Sequence, residues 1–174
     1  MRSAKPYTNV TFTKRVDRDA GRHRPSKALT EPRCCPQCGA VYMKRRWIAG
    51  THPGAEILGQ NAIATTCPAC DAAAKGFVRG HLRLEGTFVP GHRADLEALL
   101  KNEAARAAED NPTARIIRWE NGPKGSFTVG TTTEHLTERL GHAVHKAFRG
   151  EIKYGFSHEN KFARAVWRRD DEVS

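Results

Sequence analysis

Four thiols in two short clusters are the residues of this chain best suited to chemistry. Cys35 and Cys38 lie in CPQCG, Cys67 and Cys70 lie in CPAC, and 28 residues separate the pairs. A CxxC turn presents two thiolates on one side of a tight loop, and a zinc ion takes four such ligands in a tetrahedron. Proline follows the first cysteine of each pair and stiffens the turn, while Gly39 after Cys38 suits a left-handed backbone. The spacing therefore predicts one zinc ion held by Cys35, Cys38, Cys67 and Cys70, in preference to free thiols or a redox pair. Four protein ligands leave no position for water, so the ion is expected to be structural, not catalytic. Cys34 is a surplus thiol beside Cys35, and the CxxC spacing favours Cys35 as the ligand.

Charge is the second chemical feature. The 174 residues carry 29 Lys and Arg against 19 Asp and Glu, a net +10, and the excess is uneven. Residues 1–33 hold nine basic and three acidic side chains, among them Lys14, Arg15, Arg18, Arg22, Arg24 and Lys27. A basic arm of this kind suits a phosphate backbone, where neutralising phosphates releases counterions and drives binding without sequence preference. A solubilising tail is the alternative, and an acidic protein or membrane surface a third. Lys44-Arg45-Arg46-Trp47 combines charge with an aromatic, the pairing that contacts phosphate and stacks on an exposed base. Arg164 and Arg168 fall on one face of an expected strand, opposite Ala163, Ala165 and Trp167, and Arg169 adds to the charge.

Other constellations are weaker. His135, His142 and His145 share one expected helix, but no HExxH pattern or paired carboxylates accompany them, so they read as surface residues or, with RNA bound, as phosphate partners. Thr131, Thr132 and Thr133 stand at a helix start, where capping by Thr131 explains them as well as phosphate binding does. No Gly-rich phosphate loop or nucleophile elbow is present, and the chain is expected not to be an enzyme. No run approaches the ~20 apolar residues of a membrane span and no signal-peptide core opens the chain. A cytoplasmic, reducing location follows as an expectation, with no membrane partner and no small-molecule substrate.

The elements that must position these residues give an α+β fold class. Residues 1–31 are expected to be an extended basic arm, 32–76 a zinc ribbon, 77–112 a strand segment and connecting helix, 113–169 a small ββαββ unit, and 170–174 an acidic tail. In the ribbon, strand-like runs follow the first knuckle (Ala40 to Trp47) and precede the second (Ala62 to Thr66). Phe77 to Val89 reads as strand material. Leu96, Leu99, Leu100 and Ala104 mark a helix over Arg93 to Glu109, ended by Asn111-Pro112. Arg115 to Trp119 and Ser126 to Gly130 flank a turn, and Leu136, Leu140, Ala143, Val144 and Ala147 mark a helix to Phe148. Ile152, Tyr154 and Phe156 then alternate in a strand that turns into Phe162 to Arg168.

Taken together, CPQCG, CPAC, ARIIRWE, SFTVGTTTEHLTERLGHAVHKAF and GEIKYGFSHENKFARAVWRRD resemble a small bacterial zinc-ribbon family, over residues 31 to 169. More distantly they are similar to the amino-terminal half of the NMD-three-type adaptors of the large ribosomal subunit. The resemblance implies ribosomal RNA near the large-subunit tRNA sites as partner. It does not carry over export, because the adaptors' additional knuckle pair, downstream domains and export signal have no counterpart here. The expected function is a zinc-ribbon, RNA-binding, ribosome-associated protein acting in hibernation, assembly or rescue. A DNA-binding or transcription-associated zinc ribbon is the alternative, and an enzyme of nucleic-acid metabolism a more distant one.

Overall fold

The computed structural model describes residues 29–157 and 162–171. Two sheets organise them, one short and one long, in a mixed α+β arrangement.

The first sheet is built from fragments. β1 (Arg33–Cys34), β2 (Val41–Met43), β3 (Arg46–Ile48) and β4 (Ile63–Ala64) lie in the order β3-β2-β1-β4, antiparallel except for the β1–β4 pair. α1 (Ala55–Gly59) crosses between β3 and β4, and α2 (Pro68–Lys75) follows. The strand-like run expected over Ala40 to Trp47 is broken in two, because Lys44 and Arg45 take left-handed conformations, φ 50° and 61°. A two-residue turn of this kind matches the twist of the flanking strands and makes β2 and β3 a hairpin. Its strain is offset by Glu31, whose carboxylate accepts the backbone N–H groups of Lys44 (2.9 Å) and Arg45 (2.7 Å).

The second sheet has the order β6-β7-β5-β9-β8, from β5 (Gly80–Glu85), β6 (Ile116–Asn121), β7 (Phe127–Thr131), β8 (Glu151–Ser157) and β9 (Phe162–Arg168). The order strand, strand, helix, strand, strand expected after residue 113 is present. The sheet is nevertheless larger than that unit, because β5 inserts at its centre, antiparallel to β7 and parallel to β9. Of the strand material expected over Phe77 to Val89, Gly80–Glu85 forms β5. The chain leaves β5 at Glu85, and Phe88 and Val89 enter the short helix α3 (Phe88–Gly91).

Two helices cover one face of this sheet. α4 (Arg93–Asp110) links β5 to β6, and α5 (Glu134–Phe148) links β7 to β8. Each connection joins parallel strands. The two run from oppositely directed strands and move opposite ways across the sheet, so the usual right-handed crossover puts both helices on the same side. Burial agrees. Leu82 and Leu84 of β5, Phe127 and Val129 of β7, and Ala165 and Trp167 of β9 share a core with Leu96 and Leu100 of α4 and Leu136, Leu140 and Val144 of α5. α5 is capped by Thr133, whose hydroxyl accepts the Leu136 N–H at 3.2 Å. Thr131, the expected cap, ends β7 instead and is buried, its hydroxyl 2.6 Å from that of Thr137. Among the described residues no helix is long and apolar enough to cross a membrane.

Candidate metal centre

Cys35 and Cys38 sit in the loop that joins β1 to β2. The loop is closed by the Cys35 N–H donating to the Ala40 carbonyl and the Gly39 N–H to the Cys35 carbonyl, both at 2.8 Å. Gly39 has φ 71°, as its place after the second thiol requires, and Gly50 packs so tightly that an added Cβ would lie 2.6 Å from the Gly39 oxygen. The second pair is not a free turn. Cys67 is the N-cap of α2, with Pro68 in the first turn, and its sulfur accepts the Cys70 N–H at 3.5 Å. Proline after cysteine serves here as a helix opener, which needs no N–H of its own at that position.

The four Sγ atoms lie within 4.8 Å of one another. Cys38 Sγ and Cys67 Sγ are 3.6 Å apart, too far for a disulfide, and all the cysteines are free. Tetrahedral metal–sulfur bonds of ~2.3 Å place sulfurs ~3.8 Å apart, so the set fits one ion. Cys35, Cys67 and Cys70 are buried and Cys38 is half-buried. Cys34 points the other way, as alternation along β1 demands, and packs with Val41, Ile48 and Ala55.

Electrostatics within the set are divided. Burial alone would raise the Cys35 thiol, but N–H groups of Cys67, Gln37 and Cys38 outweigh it and bring it down to about 6. Burial pushes the Cys67 and Cys70 thiols up, and neighbouring Cys38 adds to both shifts. Four thiolates this close repel one another, and a bound dication is what lets them all ionise. One cation already approaches: Arg115 Nη1 lies 3.7 Å from Cys70 Sγ. Burial would lower the Arg115 pKa, but Cys38, Cys70 and Cys67 hold it above its ordinary value. Arg115 is fixed by its Nε–H to the Pro112 carbonyl (3.0 Å) and its backbone N–H to Thr132 Oγ1 (2.8 Å), and so ties the cysteine set to the large sheet. No spacing in the sequence pointed to it, because it lies 45 residues from Cys70 and meets it only through the fold.

The basic candidates are not gathered in one place. Lys14, Arg15, Arg18, Arg22, Arg24 and Lys27 lie outside the described residues. Lys44, Arg45 and Arg46 are exposed at the tip of the β2–β3 hairpin. Trp47 instead lies half-buried against the cysteine set, its ring 5.4 Å from that of Tyr42, so much of its surface serves packing. Arg164 and Arg168 are exposed on the helix-free face of the second sheet, Arg168 paired with Asp170 at 2.9 Å.

No family model matches the chain, and no curated protein or solved structure does either.

Proposed function

We propose that this chain is a non-enzymatic zinc-ribbon protein of the cytoplasm that binds RNA and associates with the ribosome, at ribosomal RNA near the large-subunit tRNA sites. The observation that carries the reading is the closed cysteine set. Thiolates in a tetrahedron suit zinc or iron, and with four protein ligands the metal offers no open position for a reacting group. The metal then acts as a staple, and binding falls to the charges beside it.

Lys44, Arg45 and Arg46 support RNA contact, since the Glu31 clamp holds the turn that projects them while their own side chains stay exposed. The basic excess in residues 1–33 adds a segment able to follow a phosphate backbone. The resemblance to ribosomal-subunit adaptors narrows the RNA to the ribosome, and a role in hibernation, assembly or rescue suits a protein without an active site.

Sedimentation through sucrose at moderate salt tests this. The chain should travel with ribosomal particles, and deletion of residues 2–28 should reduce both affinity and its salt dependence. Absence from ribosomal fractions, with binding to duplex DNA instead, would favour a transcription-associated role.

A further inference from the structure

The second sheet has two unlike faces, and only one is used by the core. Outward-pointing residues of β5, β9, β6 and β8 form rows across the other face. His81 of β5 stands between Gly130 and Arg164, and Arg83 between Thr128 and Val166. Arg118 lies outside Gly130 on β6, and Lys153 outside Val166 on β8. α4 and α5 pack on the opposite side; on this side the segment after α2 covers Gly130, where an added Cβ would lie 2.7 Å from Val78 Cγ1, and Arg118 donates to the Gly76 carbonyl at 3.1 Å, while the other residues named are exposed or half-buried.

The face is polarised. Glu85, Arg168 and Glu151 stand side by side at one end, where signs alternate. Arg83, Arg118 and Lys153 have acidic neighbours in Glu85, Glu120 and Glu151. At the other end the aromatic and cationic side chains gather. Arg79 leads into β5, its backbone N–H donating to the Thr131 carbonyl at 2.7 Å and its own carbonyl accepting the Ala163 N–H at 3.0 Å. Phe162 is half-buried, with the Arg164 guanidinium at 5.7 Å and the His81 ring edge-on at 5.2 Å. Arg79 and Arg164 have no acidic partner among the described residues. Opposite Arg164 stands Gly155, where an added Cβ would meet nothing within 4 Å among the described residues.

An acidic peptide would satisfy the charges but would leave the rings unused. Rings set beside guanidinium groups that have no acidic partner among the described residues match a chain that alternates flat apolar surfaces with anions, which is a single-stranded nucleic acid. Duplex RNA does not offer its base faces to such a surface. We propose that the face of the second sheet opposite α4 and α5 binds a single-stranded segment of RNA, with a base stacking on Phe162 and phosphates meeting Arg79 and Arg164. This rests on the RNA-binding reading above and adds a site separate from the hairpin tip.

The test uses the full zinc-loaded chain and fluorescence anisotropy with a labelled oligouridylate of about twelve nucleotides, against an RNA duplex of the same length. Phe162→Leu and Arg164→Glu should each weaken single-strand binding about tenfold and leave duplex binding within about twofold. Arg164 is exposed, so its exchange decides the matter if Phe162→Leu does not fold. Unchanged single-strand affinity in a folded Arg164→Glu chain would overturn the sheet-face site while leaving RNA binding intact. An equal loss of duplex and single-strand binding, or displacement of the RNA by polyglutamate at comparable concentration, would also overturn it. No binding of the unaltered chain to either RNA would remove the RNA-binding reading itself.

Discussion

The two sheets of this protein are held by different means. In the second, Leu82, Leu84, Leu96, Leu100, Phe127, Val129, Leu136, Leu140, Val144 and Trp167 are fully buried, each a side chain whose burial contributes roughly 1.5–3 kcal/mol. In the first, Val41 is the one residue of that kind among the largest fully buried side chains described, and the strands are two or three residues long. Hairpin fragments so short do not persist alone in water. The cysteine set stands where that core is missing, and the binding energy of an ion held there would become folding energy. A chain can thus build one unit by apolar volume and the next by a metal staple, and the two should fail under different insults.

The widest separation should come from Cys67→Ser. Cys67 is fully buried, a member of the cysteine set and the cap of α2, so bound metal measured by mass spectrometry should fall from one ion per chain to near zero. Cys34→Ser, by contrast, should keep one ion. Trp167→Ala is the converse experiment. It empties a fully buried ring site and removes a 2.6 Å bond from Nε1–H to the Arg149 carbonyl, which should cost about 3–5 kcal/mol in chemical denaturation of the second sheet while metal content stays at one. Arg115→Met tests the link between the regions. Loss of the guanidinium beside Cys70 should weaken metal retention in chelator competition by about tenfold, with little change in the melting of the second sheet. Glu31→Ala should have the smallest effect, about 1 kcal/mol of stability in the first sheet, from losing the carboxylate that holds the Lys44–Arg45 turn.

What could be read in the sequence follows the same division. α5 was legible because its apolar residues keep a helical period and Gly150 ends it, and α4 because Leu96 and Leu100 lie one turn apart. The cysteine ligands were legible because CxxC is a local motif. β5 was legible as strand material but its place was not, because strand pairing is long-range: nothing in GHLRLE says that it will lie between β7 and β9. With β5 unplaced, His81 and Phe162 could not be seen as neighbours, and Arg164 and Arg168 stood alone. Arg115 was hidden for the same reason. The Lys44–Arg45 turn was missed because neither residue favours a left-handed backbone, and the carboxylate that steadies it lies 13 residues upstream.

The difference between the two regions can be watched residue by residue in amide NMR spectra recorded before and after treatment with a strong chelator that strips bound metal. Amides of residues 33–75 should lose their dispersion, while those of β5 to β9, α4 and α5 should keep their positions apart from neighbours of Arg115. Spectra that stay dispersed over residues 33–75 after metal analysis shows none bound would contradict the account of the cysteine set as the staple of the first sheet.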